Sequence, residues 1–102
     1  MSVLATLPAC LPSVPAGLTS PDPTRRVNAI VEIAAEDDTS EVPGLIVRLE
    51  SLDALERLVA IRALEDLTGL THGYNPYSSE SERDAAIERW TDWLASQPAP
   101  AS

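Results

Sequence analysis

Apolar residues recur along the chain at spacings of three and four, and each stretch is bounded by residues that start or stop a helix. Val27, Ile30, Ile33 and Ala34 share one face of a helical projection. Asp22 before Pro23 supplies an N-cap with proline at the first helical position, and Glu36-Asp37-Asp38 ends the pattern. These signals predict a helix over 23–36. The next helix begins near Ser40, carries Pro43 in its first turn, and turns Val42, Leu45, Ile46 and Leu49 inward over 41–51. Asp53 and Glu56 then stand at capping-box spacing, and Leu58, Ile61, Leu64 and Leu67 run to Gly69, which predicts a helix over 54–68. Ser79 and Glu82 repeat that start signal before Ala86, Ile87, Trp90, Trp93 and Leu94, predicting a helix over 80–95. Earlier in the chain Leu4, Leu7, Leu11, Val14 and Leu18 keep the helical spacing, but Pro8, Pro12, Pro15 and Pro21 oppose it. A short, proline-broken segment near 11–19 is expected there. The core expected from these stripes is Leu18, Val27, Ile30, Ile33, Leu45, Ile46, Leu49, Leu58, Ile61, Leu64, Ile87 and Trp90.

A displacement of 31 residues lays Leu11 to Ala35 over Val42 to Asp66 without a gap. Seven of the 25 pairs are identical: Pro12/Pro43, Leu18/Leu49, Ser20/Ser51, Asp22/Asp53, Arg26/Arg57, Ala29/Ala60 and Ile30/Ile61. Apolar type is kept at Leu11/Val42, Val14/Leu45, Val27/Leu58 and Ile33/Leu64. Such a period points to stacked helical hairpins, in which each unit buries its stripe only against a neighbour.

The ordered set Leu18-Thr19-Ser20-Pro21-Asp22-Pro23, Arg26, Ala29-Ile30, Val42-Pro43, Leu45-Ile46 and Leu49, followed by Asp53, Arg57, Ala60-Ile61 and Ala63-Leu64, resembles the short bacterial HEAT repeat over residues 11 to 69. The remainder, with Gly73-Tyr74-Asn75-Pro76 and Arg83 through Trp90 and Trp93, is similar to the C-terminal cap of some bacterial HEAT-repeat proteins. The resemblance implies an all-α fold, a short α-solenoid of about two and a half hairpins closed by a C-terminal capping helix. It also implies a protein partner, and an accessory lyase-related enzyme is a further possibility on this fold. The expected organisation is a single domain over 1–97, made of a proline-rich partial first repeat (1–21), repeat helices in 22–51 and 53–69, a loop (70–79) and a cap helix (80–95), with a disordered tail over 98–102. In the repeat pattern Asp22 and Asp53 cap their helices, and Arg26 and Arg57 bridge to the Asp four residues earlier or to the neighbouring unit's equivalent. Ser79 caps the last helix.

Composition narrows the function. The 102 residues are 44% hydrophobic and 23% charged, the balance of a globular chain. Sixteen Asp and Glu against seven Arg, with no Lys, give a formal charge of −9, which disfavours nucleic acid as a partner. No apolar run is long enough to span a bilayer, and no basic segment precedes an unbroken apolar stretch as in a secretory signal. A cytoplasmic protein with no membrane contact is the expectation.

Chemistry-bearing residues are sparse. His72 and Cys10 are each the only residue of their type and lie in distant units, so neither pairs as nucleophile and base nor builds a metal site. The acidic runs Glu36-Asp37-Asp38 and Glu65-Asp66 lack the alternation of a calcium loop and read as solvated helix ends. No catalytic, cofactor-binding or metal-binding residue is assigned. The candidate partner-binding residues are Leu4, Leu7, Leu11 and Val14, an apolar end with no charge before Asp22, together with Trp93 and Tyr77. Tyr74 is expected to pack back onto the helix ends. The leading expectation is an adaptor or scaffold that binds another protein or a second copy of the chain. The alternative is an acidic inhibitor or immunity-type protein that covers a basic toxin or nuclease.

Overall fold

The computed structural model describes residues 16–98, and among them every regular element is helical. A 3-10 turn, Ala16–Thr19, leads to α1 (Pro23–Ala35); a second 3-10 turn, Thr39–Glu41, leads to α2 (Val42–Arg48); α3 (Ala54–Thr68) and α4 (Glu80–Ala95) follow. The bounds expected for α3 and α4 are met, and α1 ends one residue early. The helix expected over 41–51 is α-helical only over 42–48, because its last turn tightens. Leu49, Glu50 and Ser51 donate their N–H groups to the carbonyls of Ile46, Val47 and Arg48, three residues back.

Helices α1 and α3 start in the same way. Asp22 (φ −86°, ψ 115°) accepts from Thr24 N at 3.0 Å, and Asp53 (φ −88°, ψ 117°) accepts from Leu55 N at 3.1 Å. In each case the serine two residues earlier takes the aspartate N–H: Ser20 Oγ from Asp22 and Ser51 Oγ from Asp53, both at 3.0 Å. Arg26 Nη1 and Arg57 Nη1 then donate back to the carbonyls of Ser20 and Ser51, at 2.7 and 3.0 Å. Ser79 forms a full capping box with Glu82 at the start of α4.

Two expectations at these helix starts are corrected. Arg26 bridges neither Asp22 nor Asp53, whose carboxylates cap their own helices. Its Nε instead meets both carboxylate oxygens of Glu56, at 3.0 and 2.9 Å. Glu56 therefore closes no capping box with Asp53. Its side chain is fully buried, accepts from Ser51 Oγ at 2.7 Å, and lies 3.5 Å from Arg48 Nη1. Three donors around one carboxylate offset the desolvation that a buried charge otherwise suffers.

The core lies where α1 packs along α3 and where α2 packs against α3 and α4. Ile30, Leu45, Leu49, Leu64 and Trp90 are fully enclosed. Val27, Leu58 and Ile87, expected in the core, are only half-buried. Small side chains take the closest positions instead, since Ala29, Ala60, Ala63 and Ala86 are all buried. Gly17 shows how tight one such approach is: a Cβ there would lie 2.9 Å from the Arg25 carbonyl and 3.1 Å from Ala29 Cβ. Only glycine lets the first 3-10 turn lie on α1.

The loop from 70 to 79 is held through its carbonyls. Trp90 Nε1 donates to Thr71 O at 2.9 Å, Arg89 Nε to His72 O at 2.8 Å, and Arg83 Nη1 to Ser78 O at 2.7 Å. Arg57 reaches in from α3, donating through Nε and Nη2 to Pro76 O at 3.2 and 3.1 Å. Tyr74 is buried, as expected, and its hydroxyl donates to Leu49 O at 2.7 Å. Burial raises its phenol above the ordinary range, against the lowering influence of Arg57 and Arg83.

Candidate functional site: an apolar groove at the helix ends

The ends of three helices leave a groove of about 530 Å³. Val42 and Pro43 open α2 on one side, Leu67 and Thr68 close α3 on another, and Trp93 and Leu94 in the last turns of α4 complete it, with Gln97 and Pro98 at its edge. Leu67, Trp93 and Leu94 are only half-buried there, whereas Val42 is buried at the groove's base. The Trp93 ring centroid stands 5.5 Å from that of Trp90 and 5.7 Å from that of His72, which fixes the indole from behind.

The groove is chemically plain. None of its lining residues is ionisable. Thr68 Oγ1 is already engaged, donating to Leu64 O at 2.7 Å and accepting from Leu70 N at 3.1 Å, and Ser40 Oγ donates to Asp38. What it offers is shape and apolar surface. Two smaller clefts are more polar: about 320 Å³ between α1 and α3, flanked by Arg62 and Asp66, and about 360 Å³ beside Gly73, Glu82 and Arg89.

Of the candidate partner-binding residues, the structure places only Trp93 in this groove. Tyr77 is 72% exposed in the 70–79 loop and does not line it. Leu4, Leu7, Leu11 and Val14 lie outside the described residues, as does Cys10. His72 packs edge-on against Trp90 with centroids 4.4 Å apart, and its buried Nε2 meets no hydrogen-bonding group among the described residues. No three His, Cys, Asp or Glu residues among those described converge to hold a metal ion. No described helix is long and apolar enough to cross a membrane.

Sequence reasoning assigned Val42, Leu67 and Leu94 to the stripes and Pro43 to a first turn, and did not single them out as a surface. The signal was their position, because all four sit at the ends of their helices. Comparison with family models, with curated proteins and with solved structures yields no match for this chain.

Proposed function

We propose that the chain is a protein-interaction module of the cytoplasm: a short HEAT-like stack of about two and a half 31-residue hairpin units, closed by α4, that holds a protein partner. Support for the stack comes from the helix starts, where the same serine, aspartate and arginine hydrogen bonds recur 31 residues apart and Arg26 ties one unit to Glu56 of the next. The observation that carries the function is the groove of α2, α3 and α4, which presents half-buried Leu67, Trp93 and Leu94 with no ionisable side chain among its lining. An open apolar surface rimmed by polar residues is where proteins dock.

The test is affinity capture from the source cells with the wild-type chain and with Leu94→Ala, each first shown by circular dichroism to be equally helical. A defined partner held by the wild type and released by the variant is the expected result. Capture of nothing by either chain would sink the adaptor reading.

A further inference from the structure

The groove's surroundings specify the charge of what enters it. Helices α3 and α4 both end at its rim, and neither has a basic residue in its last turn. A helix C-terminus carries roughly half a negative charge on its unpaired carbonyls, and the two ends differ, because at α4 Ser96 and Gln97 already donate to the Asp92, Trp93 and Leu94 carbonyls. At the end of α3 no described residue donates to the carbonyls of Asp66, Leu67 and Thr68, although Gly69 N satisfies Glu65 O at 2.8 Å. Of the neighbouring acids, Asp92 before Trp93 is exposed on α4, Asp38 before Thr39 accepts from Ser40 as a cap, and Asp66 before Leu67 lines the cleft between α1 and α3 beside Arg62. None of the seven arginines lines the groove. Arg89, one turn before Trp93, is held instead by the His72 carbonyl. An apolar floor with the open carbonyls of α3 at its rim and no cation among its lining residues, on a chain of formal charge −9, is complementary to one kind of occupant.

We infer that the groove receives a segment of another protein that presents an apolar anchor flanked by Lys or Arg, with the anchor against Trp93 and Leu94 and the cation at the carbonyl end of α3. This rests on the adaptor reading and gives its partner a chemistry. The rim charge speeds encounter and selects against acidic segments, while apolar contact supplies the dwell time.

The probe is a fluorescein-labelled 18-residue amphipathic peptide of Leu and Lys, compared by anisotropy with a Leu/Glu peptide of the same pattern. Two variants of the full chain separate the contributions. Gln97→Lys places a cation at the C-terminus of α4, where it suits the fold, and Leu94→Ala shortens the apolar wall. The Leu/Lys peptide is expected to bind the wild type, about threefold more weakly to Gln97→Lys and about tenfold more weakly to Leu94→Ala, with the Leu/Glu peptide inert. Equal binding of both peptides overturns the inference, as does absence of binding by either. Indifference of the Leu/Lys peptide to both variants also overturns it, by making the association one with acidic surface in general. Self-association lost in Leu94→Ala would make a second copy the occupant, and binding that appears only after deletion of residues 1–15 would make that segment the occupant; either defeats the proposal. A cellular partner whose capture ignores both variants leaves the adaptor reading standing and this inference fallen. Intact peptide binding without any cellular partner leaves only the groove's preference for a basic, apolar ligand, and both the adaptor reading and the protein occupant fall.

Discussion

Arg26 and Arg57 occupy the same place in two successive helix starts, and they end differently. Both donate Nη1 to the carbonyl of a serine six residues earlier, and both lie four residues after a capping aspartate. Beyond that, Arg26 meets a buried carboxylate on α3, whereas Arg57 meets the neutral carbonyl of Pro76 in the loop before α4. One register further on, at the displacement of 31, the position of Glu56 is taken by Ile87. The guanidinium that recurs 31 residues on is thus matched by charge against α3 and by backbone against the loop before α4. Closing with a carbonyl leaves the last helix without a buried acid, so no further cation is required of it.

The first prediction tests that difference. Arg26→Ala leaves the Glu56 carboxylate buried with Ser51 and the more distant Arg48, and is expected to cost about 3 kcal/mol in chemical denaturation. Arg57→Ala leaves only neutral carbonyls unpaired and should cost about 1–2 kcal/mol. Equal losses would mean that the charge of Glu56 contributes nothing specific. Replacing Arg26 and Glu56 together by apolar residues of similar size should recover much of the first loss, since the penalty lies in the orphaned charge.

The same pair shows how far the sequence could be read. Helix starts and stops are written in local chemistry, so Asp53 with Gly69, and Ser79 with its Glu82, placed α3 and α4 to the residue. Spacing alone could not separate two uses of a glutamate at the third position after a cap. Glu82 folds back on Ser79, while Glu56 points away to an arginine 30 residues earlier. The clue was present in the register, because Glu56 replaces the Arg25 of the preceding unit at a position beside the repeated arginine. The groove was less legible still. A stripe tells which side chains turn inward, but where coverage ends depends on how far neighbouring helices extend, and that is settled by packing among α2, α3 and α4.

Tyr74→Phe probes the closed end from the other side. Its hydroxyl is the donor that the described residues supply to the Leu49 carbonyl, at the end of α2. Losing it should cost about 1 kcal/mol in thermal or urea unfolding, less than Arg57→Ala because one hydrogen bond is removed and the ring still fills its place. An unchanged midpoint would show that the loop is held by its arginines and Trp90 alone.

Helices α1 and α3 also stop differently. α3 passes into Gly69 at φ 77°, whereas α1 passes into Asp37 at φ 57°, with Asp38 N donating to Ile33 O and Asp37 N to Ala34 O. The hydrogen-bonding pattern is the one that glycine usually terminates, and here an aspartate holds the left-handed position beside a negative helix end. Asp37→Gly should therefore stabilise the chain by about 0.5–1 kcal/mol. Destabilisation would mean that the aspartate side chain makes a contact worth more than the relief of its backbone.

The smallest effect is expected at Glu41, where α2 is entered. Glu41 is buried, makes no capping hydrogen bond, and sits near Asp38. Burial first, and the Asp38 charge second, raise its carboxyl above the ordinary value of 4.5. A carboxyl whose folded value exceeds its unfolded one binds a proton more readily in the native state, so its contribution is favourable at low pH and is lost as pH rises through the raised value. At neutral pH the ionised Glu41 is a liability at the start of α2. Glu41→Gln keeps the shape and removes the charge. The variant should melt above the wild type at neutral pH, and the two curves should converge as pH falls below the ordinary value of 4.5, where folded and unfolded states both bind the proton. A difference that persists undiminished to that pH would assign the gain to the amide's hydrogen bonds, and the burial of charge at the start of α2 would then have no part in it.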